Sequence, residues 1–133
     1  MDILVITSSL FLIPINLASI NQLYLLMNHM IFLTLTSWAH HSILHINNNY
    51  TNNIYDKLDK IACYSIILHS SIFALYYNIK LYWLCLLLVS ICYYNVFYND
   101  KYMLRGLHNW KYHISHIGMH LFATIGFIII CIN

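Results

Sequence analysis

Two pairs of polar residues within otherwise apolar stretches are spaced four residues apart: Ser37 with His41, and His116 with His120. On an α-helix, residues four apart lie on the same face about one turn from each other, so each pair can direct its side chains at one point. A buried imidazole needs a hydrogen-bond partner or a metal to offset its desolvation. The spacing therefore indicates a metal site.

Histidines from two helices could complete that site. His41, His116 and His120 would supply three imidazoles to a tetrahedral Zn²⁺ and leave the fourth position for water, as in catalytic zinc sites. Such a water can attack a carbonyl carbon. Asp59 could hold or deprotonate the water, and the Ser37 hydroxyl could donate to the developing oxyanion or orient a ligand. We therefore predict Zn²⁺ as the cofactor and assign catalytic roles to Asp59 and Ser37.

Two neighbouring residues compete for these roles. His113 lies seven residues before His120, about 10 Å along a helix, so both cannot easily bind one metal. We therefore favour His116 and His120 over His113 and His116. Asp56 is expected to be a helix N-cap, and Asp59 lies one turn deeper. The choice between Asp56 and Asp59, and the role of His113, stay open at this point.

The composition is that of a membrane protein. Of 133 residues, 61% are hydrophobic and 8% are charged, which leaves too little polar surface to cover a soluble globule. A membrane-spanning helix needs about 20 apolar residues, so the length allows about five spans and no soluble domain. Six basic residues and a net charge of +2 do not form the dense basic face of a nucleic-acid-binding protein, so no nucleic-acid partner is expected.

Apolar segments broken by polar clusters predict a single domain, residues 1–133, with an all-α fold: a polytopic transmembrane helix bundle. Pro14 is expected to kink the first span without ending it. The clearest loops are predicted at 46–56 and 99–111. The predicted spans lie near 3–20, 23–45, 58–77, 81–98 and 112–131.

Basic residues predict the orientation of the chain. With five spans, the N-terminus and both longer loops lie on one side, and the positive-inside bias places that side in the cytoplasm and the C-terminus opposite. The other side carries only Lys80. The polar residues described above then converge at the inner leaflet. The basic residues on the cytoplasmic side are Lys57, Lys60, Lys101, Arg105 and Lys111.

The order of these motifs resembles a known superfamily. An S-x-x-x-H at Ser37 to His41, an Asp at the start of the next helix, and an H-x-x-x-H at His116 to His120 are similar to the CREST superfamily of membrane hydrolases. That group includes the alkaline ceramidases and the progestin and adipoQ receptors. The text SWAHH, followed by Leu58-Asp59 opening the third helix, looks especially like the receptor branch.

The resemblance implies that the three histidines bind zinc and that Ser37 and Asp59 surround its water. It implies an integral-membrane hydrolase of lipid metabolism, acting on a lipid amide or ester as ceramidases do. The family has seven helices and this chain has about five, so it resembles a shortened member. A second copy of the chain or a partner membrane subunit would then complete the substrate cavity.

Two other hypotheses fit the residues. A b-type haem protein of an electron-transfer complex would use one histidine from each of two helices as axial ligands, with Gly118 admitting the ring. A non-catalytic structural membrane protein would use the same polar groups only to hold its helices together.

The predicted orientation can be tested at the glycosylation sequon Asn49-Tyr50-Thr51. In microsomes, the native sequon should remain unmodified because it faces the cytoplasm, whereas an acceptor sequon in a tag appended after Asn133 should be glycosylated. Endoglycosidase-sensitive gel shifts of the two forms report the result. Glycosylation of Asn49 without modification of the tag would reverse the orientation.

Overall fold

The computed structural model describes residues 3–47, 54–101 and 110–133, and in these ranges the chain is all-helical, as predicted. The first 18 of these residues form one segment, hereafter the first segment: α1, a short 3₁₀ turn and α2. Four long helices follow. The elements are α1 (Ile3–Ser8), the 3₁₀ turn (Ser9–Phe11), α2 (Leu12–Ile20), α3 (Tyr24–Asn47), α4 (Ile54–Tyr76), α5 (Lys80–Lys101) and α6 (Trp110–Ile132).

The described part of the chain contains four segments long and apolar enough to cross a membrane: Ile3–Ile20, Ile54–Tyr76, Lys80–Tyr98 and Trp110–Ile132. The chain is thus a multi-pass membrane protein. The helix α3 has 24 residues and is not among these four segments. It carries two of the residues that the sequence placed at a site, Ser37 and His41, together with other polar side chains. Several of these, including Thr34, Ser37 and His41, are buried against the other helices. The bundle covers them as membrane proteins cover intramembrane polar groups.

The backbone of the first segment changes from an α-helix to a 3₁₀ turn just before Pro14. Pro14 has no N–H to donate, and its ring crowds the carbonyl four residues earlier, which belongs to Leu10. Leu10 lies in the 3₁₀ turn Ser9–Phe11, where the backbone adopts the narrower winding common at strained positions in helices. The expected effect of Pro14 therefore takes the form of a tightened turn within a continuous segment.

The bundle consists of two helix pairs bridged by the first segment. The helices α3 and α4 pack together, as do α5 and α6, and the first segment contacts both α3 and α6. Its far end is attached to α6, since the Asn21 side-chain amide donates to the Cys131 carbonyl at 2.6 Å. The buried core at this seam includes Phe11, Ala18 and Phe127.

Small side chains allow α5 and α6 to approach closely. A Cβ atom added at Gly126 would lie 3.3 Å from the Cβ of Cys85, and one added at Gly118 would lie 3.1 Å from the Cys92 sulfur. Small residues at helix interfaces serve this purpose in membranes, where packing rather than the hydrophobic effect holds helices together.

The connection between α4 and α5 is short, with Asn78 at a φ of 56°, a left-handed conformation that asparagine tolerates. Near this turn, the Ser70 hydroxyl donates to the Ile66 carbonyl at 2.7 Å, so Tyr82 donates its phenolic proton to Ser70 at 2.6 Å. This bond joins the two helices. Further from the turn, a cavity lies between α4 and the α5–α6 pair.

Candidate metal centre

The histidines at 41, 116 and 120 meet inside the bundle. One ligand atom from each of His41, His116 and His120 lies within 4.8 Å of the other two. Their ring centroids are 4.9 Å apart for His41 and His116, 5.0 Å for His116 and His120, and 5.6 Å for His41 and His120. All three are buried, with exposed fractions of 1%, 7% and 4% in chain order. The helices α3 and α6 position them as the four-residue spacing predicted.

Buried nitrogens at this point lack hydrogen-bond partners. Both ring nitrogens of His41 and Nδ1 of His116 are inaccessible and accept or donate no hydrogen bond among the described residues. Leaving such atoms unpaired in an apolar interior costs free energy. A metal ion between the rings would use one lone pair from each. Tetrahedral zinc with bonds of 2.0–2.1 Å places its ligands about 3.4 Å apart, so the rings would need to draw together by about 1.4 Å at most.

The third histidine has a hydroxyl partner from the first segment. Thr7 Oγ1 lies 3.1 Å from Nδ1 of His120 and 3.2 Å from the Leu4 carbonyl oxygen. The carbonyl can only accept, so it takes the Thr7 proton, and the Thr7 oxygen is left to accept from His120. In this arrangement His120 would carry its proton on Nδ1 and keep the lone pair on Nε2.

A parallel contact orients Ser37. The Ser8 hydroxyl, which is fully buried, donates to the same Leu4 carbonyl at 2.7 Å and lies 3.0 Å from the Ser37 oxygen. Because the single proton of Ser8 goes to Leu4, the Ser8 oxygen faces Ser37 as an acceptor, and the Asp59 carboxyl is a second acceptor for the Ser37 hydroxyl. The Ser37 oxygen keeps its own lone pairs as acceptors. Sequence reasoning missed Thr7 and Ser8, since hydroxyls in an apolar helix usually bond only to their own backbone.

The two aspartates of α4 have different surroundings. Asp56 lies in the first turn rather than at the N-cap, because α4 begins at Ile54, and its carboxylate accepts from Lys60 at 2.7 Å. His40 Nε2 lies 3.9 Å from Asp56. Asp59 lies next to the hydroxyls of Thr36 and Ser37, and its Oδ1 is buried without a hydrogen-bond partner among the described residues.

His113 does not join the cluster of His41, His116 and His120. Its ring packs edge-on against Tyr112 at 5.4 Å, one turn before His116. This placement agrees with the distance argument made from the sequence.

The cavity beside the histidines is large and mostly apolar. It has a volume of about 580 Å³, and its walls include Ser37, Asp59, His116 and His120. Along α6 the lining runs from Tyr112 to Phe127, about 22 Å at 1.5 Å per residue. The apolar lining includes Leu86, Val89 and Phe97 of α5 and Met119, Phe122 and Ala123 of α6.

No protein-family model, curated protein or solved structure matches this chain.

Metal content should depend on each of the three clustered histidines. Detergent-purified wild-type protein should hold about one metal ion per chain, and His41→Ala, His116→Ala and His120→Ala should each lose it, because two imidazoles are a poor zinc site. Plasma mass spectrometry of the folded monodisperse fraction measures the stoichiometry.

The matched control is His113→Ala, which removes a histidine of the same helix and should keep the metal. A folded variant of His41, His116 or His120 that retains a full equivalent would contradict this assignment, as would loss of the metal from His113→Ala.

Proposed function

We propose that this protein is a zinc-dependent integral-membrane hydrolase that cleaves a lipid amide or ester, as the resemblance to the alkaline ceramidases and their relatives implies. The observation that carries the proposal is the convergence of three buried imidazoles on one point beside a long apolar cavity. Metal-assisted hydrolysis needs a metal with protein ligands on one side and room for substrate on the other.

Zinc is the proposed metal because the cluster offers three neutral nitrogen ligands. Three histidines and an open position are the ligand set of several hydrolytic zinc sites. His41, His116 and His120 would hold the ion, and the ion would supply a Lewis acid that activates water and polarises the substrate carbonyl.

Asp59 is the proposed general base and acid. It lines the cavity with His116 and His120, and its buried Oδ1 has no other partner among the described residues. Asp59 would take a proton from the attacking water as the new C–O bond forms. It would then return the proton to the leaving amine or alcohol as the C–N or C–O bond of the substrate breaks.

Of the two roles that the sequence analysis gave to Ser37, oxyanion donor and ligand-orienting group, we propose the second. An oxyanion donor needs a free proton, and the Ser37 hydroxyl already has two acceptors, the Ser8 oxygen and the Asp59 carboxyl. We therefore assign Ser37 as an acceptor, which orients the attacking water through its oxygen lone pairs. The carboxyl of Asp59 lies next to Ser37, so both groups would contact the same water.

The proposed substrate is a lipid of the inner leaflet. A cavity about 22 Å long fits an acyl chain, and lipid-facing helices surround it. In the proposed topology α3 also crosses the membrane, which brings the number of spans to five. The N-terminus is then cytoplasmic and the C-terminus lies on the opposite side. The cytoplasmic end of the bundle would then contain the metal site together with Lys57, Lys60 and Lys111.

The cavity lies between α4 and the α5–α6 pair. The hydrogen bond between Ser70 and Tyr82 joins α4 to α5 near the turn that connects these two helices. The two helices that the resembling family has in addition would be replaced here by lipid, by a second copy or by a partner subunit. Each of these would cover the exposed aromatic side chains of Tyr64, Tyr93 and Phe97 beside the cavity.

The haem hypothesis gains no supporting contact. It expected Gly118 to admit the edge of the macrocycle, but Cys92 lies against that glycine. His29 and His69, which lie outside the metal cluster, stack with centroids 5.1 Å apart and an interplanar angle of 22°. Axial ligands must instead approach from opposite faces of a haem. An absorption spectrum without a Soret band is the expected result.

Removing the Asp59 carboxylate should separate catalysis from metal binding. Asp59→Asn should retain zinc and lose about 10²- to 10⁴-fold in turnover, the range for a general acid–base group. The assay measures fatty-acid release from ceramides and from lipid esters in mixed micelles, with zinc content determined on the same samples.

Asp56→Asn is the matched control, since it changes an acid of the same helix that pairs with Lys60, and its turnover should stay near the wild-type value. A fully active Asp59→Asn variant would remove Asp59 from the mechanism. Zinc-loaded wild-type protein that hydrolyses none of the lipid amides and esters would overturn the proposed function itself.

A further inference from the structure

The first segment brings the hydroxyl of Thr7 next to His120, one of the clustered histidines. No motif in the sequence predicts this contact. Thr7 lies half-buried on α1, which contacts both α3 and α6. Its oxygen lies 3.1 Å from Nδ1 of His120, a residue 113 positions away in the chain. The contact is therefore tertiary, and the packing of α1 against α6 creates it.

The direction of the hydrogen bond between Thr7 and His120 follows from a third group, the carbonyl of Leu4. The Leu4 carbonyl oxygen, 3.2 Å from Thr7 Oγ1, has no proton to give. The Thr7 hydroxyl proton has this acceptor, so its oxygen faces His120 with a lone pair. His120 must then carry its proton on Nδ1 to complete the bond.

We infer that Thr7 is a positioning residue that fixes His120 as the Nδ1–H tautomer and directs its Nε2 lone pair to the metal. The inference rests on the proposed metal site. Metal-binding histidines usually donate their other ring N–H to a partner of this kind, and the loss of such partners lowers metal affinity by about 10- to 100-fold.

Two features set this contact apart from ordinary helix packing. Phe11 of the same segment packs its ring 5.6 Å from the His120 ring at an interplanar angle of 51°, so the imidazole has a ring contact as well as the contact at Nδ1. His41 and His116 lie on the other side of His120, at 5.6 Å and 5.0 Å. His120 thus lies between the first segment and the other two clustered rings.

The test compares Thr7→Val with Thr7→Ser. Val keeps the branched shape and removes the hydroxyl, so zinc affinity, measured by competition with a chromophoric chelator, should fall about 10- to 100-fold. Ser restores the hydroxyl and should restore affinity. Thr34→Val is the matched control, because Thr34 is buried and donates only to the Met30 carbonyl at 2.7 Å among the described contacts; its affinity should not change.

A second readout does not need bound metal. In metal-free protein labelled with ¹⁵N in its histidine rings, the resonance absent from His120→Gln identifies His120, and its shifts should report protonation on Nδ1 in the wild type and loss of that preference in Thr7→Val. This result would support the tautomer assignment even if the wild type bound no zinc, whereas the absence of zinc would overturn the proposed function and the metal-directing part of the inference. Protonation of wild-type His120 on Nε2, or unchanged tautomer and affinity in folded Thr7→Val, would overturn the inference.

Discussion

Burial of imidazole nitrogens without hydrogen-bond partners is the constraint on which the rest of this structure depends. His41 is 1% exposed and neither of its ring nitrogens has a partner among the described residues. Burying such nitrogens among apolar helices without partners costs free energy. His116 and His120 each offer a ligand atom within 4.8 Å of one on His41. A metal ion bound by one nitrogen of each ring would offset part of that cost, which makes a shared site a more economical explanation of these histidines than separate packing roles.

The first segment gives the cluster its geometry. It lies between α3 and α6, the two helices that carry the histidines, and it contacts both. Through Thr7 and Ser8 it presents two hydroxyl oxygens whose protons are directed to the Leu4 carbonyl. Those oxygens can therefore accept from His120 and Ser37, which determines where each of these residues has a free lone pair. The same arrangement leaves the opposite side of the cluster, toward α4 and α5, for the cavity.

Much of this arrangement was predictable from the sequence because helical periodicity is a local property. Apolar segments predicted five helices, and spacings of four residues placed His116 with His120 on one face.

Tertiary contacts were not predictable in the same way. Thr7 and Ser8 could be recognised only once α1 was packed against α3 and α6. Asp56 was expected to cap α4, but the helix begins at Ile54 and Asp56 pairs with Lys60 instead. The cavity depends on the distance between α4 and α5, and the sequence of either helix alone does not determine that distance.

X-ray absorption at the zinc edge of the zinc-loaded protein tests the central claim most directly, because it reports the atoms bound to the metal. The account predicts three imidazole nitrogens and one further light atom at about 2.0–2.1 Å, with the multiple scattering of imidazole rings. A sulfur neighbour at about 2.3 Å, or fewer than three imidazoles, would contradict it and would place the metal elsewhere in the chain.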